Sequence, residues 1–123
     1  MNQKTKVMMV DDNAPYLRML SANLKSAGFE VLALTDPNGA RKAAREFAPD
    51  VMLLDVVMPQ QDGGDLYNTL RADPAFKRLP ILFVTAAVTE VTRSNGMVFV
   101  PKPVKMEVLL KEMQAEMNAM KAG

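Results

Sequence analysis

The most informative stretch of this sequence is VMLLDVVMP, residues 51–59. Four apolar residues run directly into Asp55, and a Met-Pro turn follows. A short run that is apolar at every position is typical of a strand buried on both faces of a sheet. Asp55 would then stand at the carboxyl end of that strand, which is where open parallel sheets bind their ligands.

Similar apolar runs recur on both sides of this stretch, separated by segments with helical spacing. The runs are Val7 to Val10, Phe29 to Leu34, Ile81 to Val84 and Met97 to Val100. Buried strands alternating with helices predict an α/β fold with a doubly wound, five-stranded parallel sheet in a three-layer sandwich. A closing helix is expected from Lys105 onward, with one apolar face formed by Met106, Leu109, Met113, Met117 and Met120.

Composition limits the chemistry. The 123 residues carry a formal net charge of +1 and suit one domain, residues 1–123. Without cysteine or histidine there is no thiolate nucleophile, disulfide or imidazole base. The scattered basic residues predict no direct nucleic-acid binding. The apolar runs are too short for a signal peptide or a membrane span, so we expect a cytoplasmic protein with no membrane contact.

Polar side chains gather at the predicted strand ends. They are Asp11 and Asp12 after the first strand, Asp55 after the third, Thr85 after the fourth and Lys102 after the fifth. Crowded carboxylates raise one another's pKa unless a cation neutralises them, and an all-oxygen site suits Mg²⁺. The lysine and the threonine hydroxyl add donors. Together these groups could hold a phosphoryl group.

At this point the sequence resembles the receiver domain of two-component response regulators over essentially its whole length. The resemblance is carried by Asp11-Asp12, by the run from Asp55 to Gly63 (DVVMPQQDG), by Thr85-Ala86 and by Lys102-Pro103, in this order. It implies a flavodoxin-like, chemotaxis-regulator-like fold with strand order 2-1-3-4-5. It also implies a Mg²⁺ cofactor, a histidine kinase or phosphotransfer protein as donor, and a protein target whose identity the sequence does not give.

The resemblance assigns a role to each site residue. Asp55 is expected to accept the phosphoryl group. Asp12, Asp55 and the backbone carbonyl of Val57 are expected to ligate Mg²⁺, with Asp11 assisting. Lys102 is expected to contact the bound phosphoryl group.

Two further roles concern the output. Thr85 is expected to move toward the phosphoryl group and to draw the switch aromatic Phe99 inward.

The resemblance also implies that Lys102-Pro103 is a cis peptide. No catalysis beyond phosphorylation and dephosphorylation of its own aspartate is expected, so the protein is not predicted to be an enzyme in the usual sense.

The sequence departs from the family pattern in one region. Only 17 positions separate Thr85 from Lys102, several fewer than receiver domains usually have. We therefore expect a shortened fourth helix, with at most about two turns between Thr89 and Asn95, or one that is frayed or replaced by a loop. The usual output surface would be changed accordingly.

Two alternatives remain open. A receiver-like interaction module could act through constitutive protein contacts without phosphorylation. A hydrolase with an aspartyl nucleophile would need a second carboxylate close after Asp55, where the sequence has Val56 and Val57. The sequence does not fix the oligomeric state, and a dimer is one option.

Overall fold

A computed structural model describes residues 3–56, 58 and 62–122 of the chain. The strands are β1 Lys6–Val10, β2 Glu30–Leu34, β3 Val51–Leu54, β4 Ile81–Thr85, β5 Thr92–Ser94 and β6 Met97–Pro101. The helices are α1 Ala14–Ser26, α2 Ala40–Phe47, α3 Gly63–Ala72 and α4 Met106–Ala122, with a short 3₁₀ turn at Pro74–Phe76.

The sheet has the order β2-β1-β3-β4-β6-β5. Its first five members pair in parallel, which confirms the predicted doubly wound sheet and its strand order. Met8 shows the central position of β1, since it is in register with Leu32 on one side and with Met52 on the other. The carboxyl ends of β1, β3, β4 and β6 therefore lie side by side.

Two apolar clusters cover the two faces of the sheet. On one face, α1 and α4 pack through buried side chains such as Leu20, Leu24, Leu109 and Met113. On the other face, α2 and α3 contribute buried residues that include Ala44, Leu66 and Leu70. The three-layer prediction is confirmed. Among the described residues, no helix is both long and apolar enough to cross a bilayer.

The helix boundaries follow from local chemistry. Asn13 caps α1, since its side chain accepts a hydrogen bond from the backbone amide of Tyr16, and Pro15 occupies the first turn. Gly28, with φ +99°, takes the left-handed conformation just beyond the end of α1. Asp62 caps α3 in the same way as Asn13, with its carboxylate accepting from the amide of Gly64.

The predicted short fourth helix is wrong. Residues 86–105, all within the described part of the chain, contain turns and a β-hairpin but no helix. β5 runs antiparallel to β6 and extends the sheet to six strands. Asn95 and Gly96 form the connecting turn with φ values of 53° and 78°, as expected for an Asn-Gly pair in a tight hairpin. The missing chain length is thus accommodated by a hairpin.

Candidate functional site

The site lies at the carboxyl ends of four neighbouring strands. The backbone pairing of the sheet continues into the site: the amide of Asp55 donates to the carbonyl of Val10 at 2.9 Å, and the amide of Lys102 donates to the carbonyl of Thr85 at 3.0 Å. The strand ends therefore fix the backbone of the site residues before any side-chain contact is considered. Lys102-Pro103 is a cis peptide, as the family resemblance implied.

The three predicted aspartates form one cluster. Asp11 is buried, Asp55 is half-buried and Asp12 is exposed, and one carboxylate oxygen from each lies within 4.8 Å of the others. Asp11 is held in place by its neighbours, since its Oδ1 accepts from the backbone amide of Asn13 at 2.9 Å. The cluster thus opens to solvent on the Asp12 side and is closed on the Asp11 side.

Lys102 reaches into this cluster from the end of β6. Its Nζ donates to Oδ2 of Asp11 at 2.6 Å and to Oδ1 of Asp55 at 3.5 Å, so the ammonium is held mainly by Asp11. The side chain of Lys102 is only 18% exposed. The ring of Tyr16, from the first turn of α1, lies against the same ammonium at 4.7 Å from its centroid.

The electrostatics of the cluster favour a cation. Burial raises the pKa of Asp55, and the negative charge of Asp11 raises it further, while Lys102 acts in the opposite direction. When all are ionised, three carboxylates face one ammonium group among the residues that the structure describes, which leaves two negative charges in excess. A divalent cation would balance that charge, and oxygen ligands of this kind suit Mg²⁺. The residues present therefore fit the predicted metal.

Thr85 stands beside the cluster at the end of β4. It is buried, and its Oγ1 accepts a hydrogen bond from the backbone amide of Ala87 at 3.1 Å. Its hydroxyl is therefore anchored to the loop that follows β4.

Phe99 lies in the middle of β6 on the sheet face covered by α2 and α3. It is half-buried, and its ring stacks on Phe83 with centroids 5.1 Å apart. The hairpin stands where the sequence predicted a fourth helix, and Phe99 and Met97 are partly exposed.

Gly63 contributes to the site in a way that the sequence analysis missed, because Gly63 entered it only as the end of the run DVVMPQQDG. Its amide donates to the carbonyl of Val56 at 2.8 Å. A Cβ atom at this position would lie 2.0 Å from the backbone oxygen of Asp55, so only glycine allows this close approach. The sequence feature that could have indicated this contact is the glycine that ends the run DVVMPQQDG.

The structure brings Asp11, Asp12, Asp55 and Lys102 together as predicted and places Thr85 at the adjoining strand end. The predicted metal-ligating carbonyl of Val57 lies outside the described residues. Tyr16 was also missed. The sequence feature that could have identified it is the helix that follows Asp12, since residue 16 then lies on the first turn of α1.

Comparison with known proteins agrees with this geometry. The family model of the response regulator receiver domain matches residues 7–114. Protein RcaC of Microchaete diplosiphon is 38% identical over 105 residues, which are 81% of this chain and 16% of that protein. The DNA-binding response regulator MtrA of Mycobacterium tuberculosis is 31% identical over 120 residues, which are 94% of this chain and 51% of that protein. The chain thus spans about half, or less, of the length of these relatives.

The name of the mycobacterial relative also bears on one sequence-based expectation. Because that relative is a DNA-binding regulator, the predicted lack of any direct nucleic-acid contact is not supported by the comparisons.

Solved structures show the same likeness. The chemotaxis protein CheY4 of Vibrio cholerae superposes with a TM-score of 0.79 at 29% identity, covering 92% of this chain and 98% of that one. A sensor protein of Polaromonas sp. JS666 gives a TM-score of 0.82 at 20% identity over 96% of this chain and 99% of its own, which shows a shared fold. With the family model covering most of the chain, this chain belongs to the receiver domain family of two-component response regulators.

Proposed function

We propose that residues 1–123 act as one receiver domain in which Asp55 accepts a phosphoryl group in a Mg²⁺-dependent reaction. The observation that carries the proposal is the cluster of three carboxylates with Lys102 at its buried side. The donor would be a histidine kinase or a phosphotransfer protein, and the readout would be a changed contact with a protein target. The cytoplasmic location stays a prediction from the sequence.

Asp55 is the proposed nucleophile because it stands at the end of β3, between β1 and β4, and is half-buried. One of its oxygens would attack phosphorus, forming the O–P bond of an acyl phosphate. The bond between phosphorus and the donor's leaving atom breaks, and the leaving group keeps the electron pair. The rise in the pKa of Asp55 comes mainly from burial, so the ionised carboxylate is poorly solvated and depends on nearby positive charge.

Mg²⁺ would be held by Asp12 and Asp55, with Asp11 assisting and with the carbonyl of Val57 as the further ligand that the family resemblance implies. When bound, the ion supplies positive charge to the phosphoryl oxygens as negative charge develops on them. Asp12 is the exposed member of the cluster and faces the side from which a donor can approach.

Lys102 would supply the second positive charge. Its ammonium now bonds to Asp11 at 2.6 Å and lies 3.5 Å from Asp55. A phosphoryl group on Asp55 would bring new anionic oxygens next to this ammonium, and we expect Lys102 to shift its bond from Asp11 to the phosphoryl group. Charge-assisted bonds of this type are the strongest hydrogen bonds available to the site.

Thr85 and Phe99 are the proposed output residues. For Thr85 to reach the phosphoryl group, its Oγ1 must give up the bond from the amide of Ala87. Phe99 has room to respond because it lies on the hairpin strand β6 and is partly exposed. We propose that the hairpin, rather than a helix, is the element next to this switch that a target would sense.

Incubation of the protein with Mg²⁺ and acetyl phosphate, followed by intact-protein mass spectrometry, tests the proposal. We expect one phosphoryl adduct that depends on Mg²⁺ and is absent in Asp55→Asn. Asp65→Asn, at an exposed position of α3, is the matched control and should be phosphorylated like the parent. No adduct in the parent protein would support the alternative of an interaction module that acts without phosphorylation.

A further inference from the structure

Tyr16 contacts the site through its ring. Its backbone is fixed by the helix cap, because its amide donates to Oδ1 of Asn13 at 3.0 Å in the first turn of α1. The ring packs against the apolar cluster between the sheet and α1. Its face is directed at the ammonium of Lys102, with 4.7 Å between Nζ and the ring centroid. The ring thus forms one wall of the site.

Within the part of the chain that the structure describes, three side chains surround the ammonium of Lys102. Asp11 bonds to it at 2.6 Å, Asp55 lies at 3.5 Å, and the aromatic face covers a further side. A lysine side chain is a flexible four-carbon stem that carries a point charge, so two carboxylates alone define its position poorly. Cation–π attraction is strongest where water is excluded, and the Lys102 side chain is only 18% exposed.

From this arrangement we propose that Tyr16 is a positioning residue for Lys102, and that its ring face keeps the ammonium beside Asp55 and thereby speeds phosphoryl transfer to Asp55. The inference rests on the proposed function, since it concerns the rate of that reaction. An aromatic face attracts a cation without a fixed hydrogen-bond direction. The ring can therefore hold the ammonium while it shifts from Asp11 to the oxygens of the phosphoryl group.

The hydroxyl of Tyr16 is not needed for this role. It is buried and, among the described residues, makes no hydrogen bond of normal distance and angle, although the backbone of Val104 lies near enough to lower its pKa against the effect of burial. The proposal therefore assigns the effect to the ring alone. Phenylalanine should replace Tyr16 in this function, whereas leucine or methionine should not, although both fill similar space with apolar atoms.

The test compares initial rates of adduct formation from acetyl phosphate and Mg²⁺, measured by intact-protein mass spectrometry. We expect Tyr16→Phe to react within about twofold of the parent protein, because phenylalanine keeps the ring face that attracts the cation. Tyr16→Leu and Tyr16→Met should react roughly 5- to 30-fold more slowly, the range expected for loss of a cation–π contact. Tyr67→Leu is the matched control, because it removes a half-buried tyrosine on the opposite sheet face, where the ring lies over Arg71.

A second arm separates positioning from simple packing. In a Lys102→Ala background, Tyr16→Leu should cause no further loss of rate, because the cation that the ring holds is gone. An equal loss in both backgrounds, or a Tyr16→Phe variant as slow as Tyr16→Leu, would overturn the inference. If the parent protein forms no adduct, the proposed function itself fails. An adduct in the parent with an unchanged rate in Tyr16→Leu would overturn only the inference.

A measurement on the unmodified protein adds a readout that does not depend on the folding of variants. Protons that lie over an aromatic face are shifted upfield in NMR spectra. We expect upfield shifts for the ε-methylene protons of Lys102 in the parent and in Tyr16→Phe. Unshifted ε protons in the parent would contradict the ring contact on which the inference depends.

Discussion

At the scale of single residues, the position of Asp55 is set by backbone contacts as much as by charge. Its amide bonds to the end of β1, and its carbonyl oxygen faces Gly63 at the start of α3. The charged members of the site were predictable, since each follows an apolar run and the ends of parallel strands meet. Gly63 and Tyr16 were harder to predict, because their roles depend on a close approach in space and on the rotation of a helix.

The close approach of Gly63 gives the first prediction. In Gly63→Ala, the new Cβ would clash with the backbone oxygen of Asp55, and we expect the free energy of unfolding to fall by about 1–3 kcal/mol. Phosphorylation at Asp55 should slow as well, because relieving the clash moves the acceptor. Urea denaturation and the adduct assay measure the two effects.

Gly64→Ala is the matched control for this prediction. Its Cβ would meet only the Asp62 carboxylate, at 2.9 Å, and alanine favours helix formation over glycine by up to about 1 kcal/mol. We expect its stability to be close to that of the parent. Equal destabilisation by both substitutions would show that the loop, and not the contact with Asp55, is sensitive.

At the scale of elements, the hairpin of β5 and β6 is the main difference from the sequence-based expectation. Residue counting correctly located the missing length between Thr85 and Lys102, but a count cannot tell a short helix from a strand. The available signal was the Asn95-Gly96 pair, which adopts positive φ at both positions. An ion pair between Arg93 and the buried Glu112 then ties β5 to α4.

The hairpin predicts a distinct pattern of amide exchange. With a two-residue turn, Ser94 and Met97 flank the turn as a hydrogen-bonded pair, and pairs along the ladder alternate. We therefore expect the amides of Ser94 and Thr92 to be protected, while the amide of Arg93 points away from the sheet and exchanges fast. Hydrogen exchange followed by NMR checks this. Uniformly fast exchange of all three amides would contradict the hairpin, and uniform protection would indicate a helix.

Asp73 connects two further elements and makes stability depend on pH. This buried residue at the end of α3 accepts from the amide of Ala75 and pairs with Arg41 and Arg45 of α2. The bond from Ala75 and the bond from Arg45 lower the pKa of Asp73 below its usual value of 3.8. When a pKa is lower in the folded state than in the unfolded state, the ionised group stabilises the fold at pH values above the unfolded-state pKa. That stabilisation is lost as the pH falls through the folded-state pKa.

Asp73→Asn should therefore be less stable than the parent at neutral pH, and the difference should shrink as the pH is lowered from about 4 through the acidic range. Urea denaturation at a series of pH values measures it. A difference that stays constant across this range would show that ionisation of Asp73 adds nothing to the stability of the fold.

At the scale of the whole molecule, the fold was predictable because the two apolar clusters reflect patterns that are visible in the sequence. Strands such as β3 are buried at every position, and α4 buries Leu109 and Met113 along its predicted face. The sixth strand was not predictable in the same way. β5 has no buried residue, so it carries no apolar pattern and depends on pairing with β6.

The excess negative charge at the carboxyl ends of the strands predicts that Mg²⁺ stabilises the molecule. A ligand that binds only the folded state adds about 2.7 kcal/mol at 100 times its dissociation constant. We expect saturating Mg²⁺ to raise the Tm of the parent and a chelator to reverse the rise. Asp12→Ala should lose this response and, in chelator, should be at least as stable as the parent, because carboxylate repulsion is relieved. An unchanged Mg²⁺ response in Asp12→Ala would remove Asp12 from the ligand set.

Chemical trapping of the acyl phosphate identifies the residue that carries the phosphoryl group, which we propose to be Asp55. After incubation with acetyl phosphate and Mg²⁺, borohydride reduces an aspartyl phosphate to homoserine, and peptide mass spectrometry locates the converted residue. We expect homoserine at position 55 in the parent, dependent on Mg²⁺, with Asp11 and Asp12 unchanged. Homoserine at position 11 or 12, or conversion at position 55 that is equally efficient in chelator, would contradict the proposal.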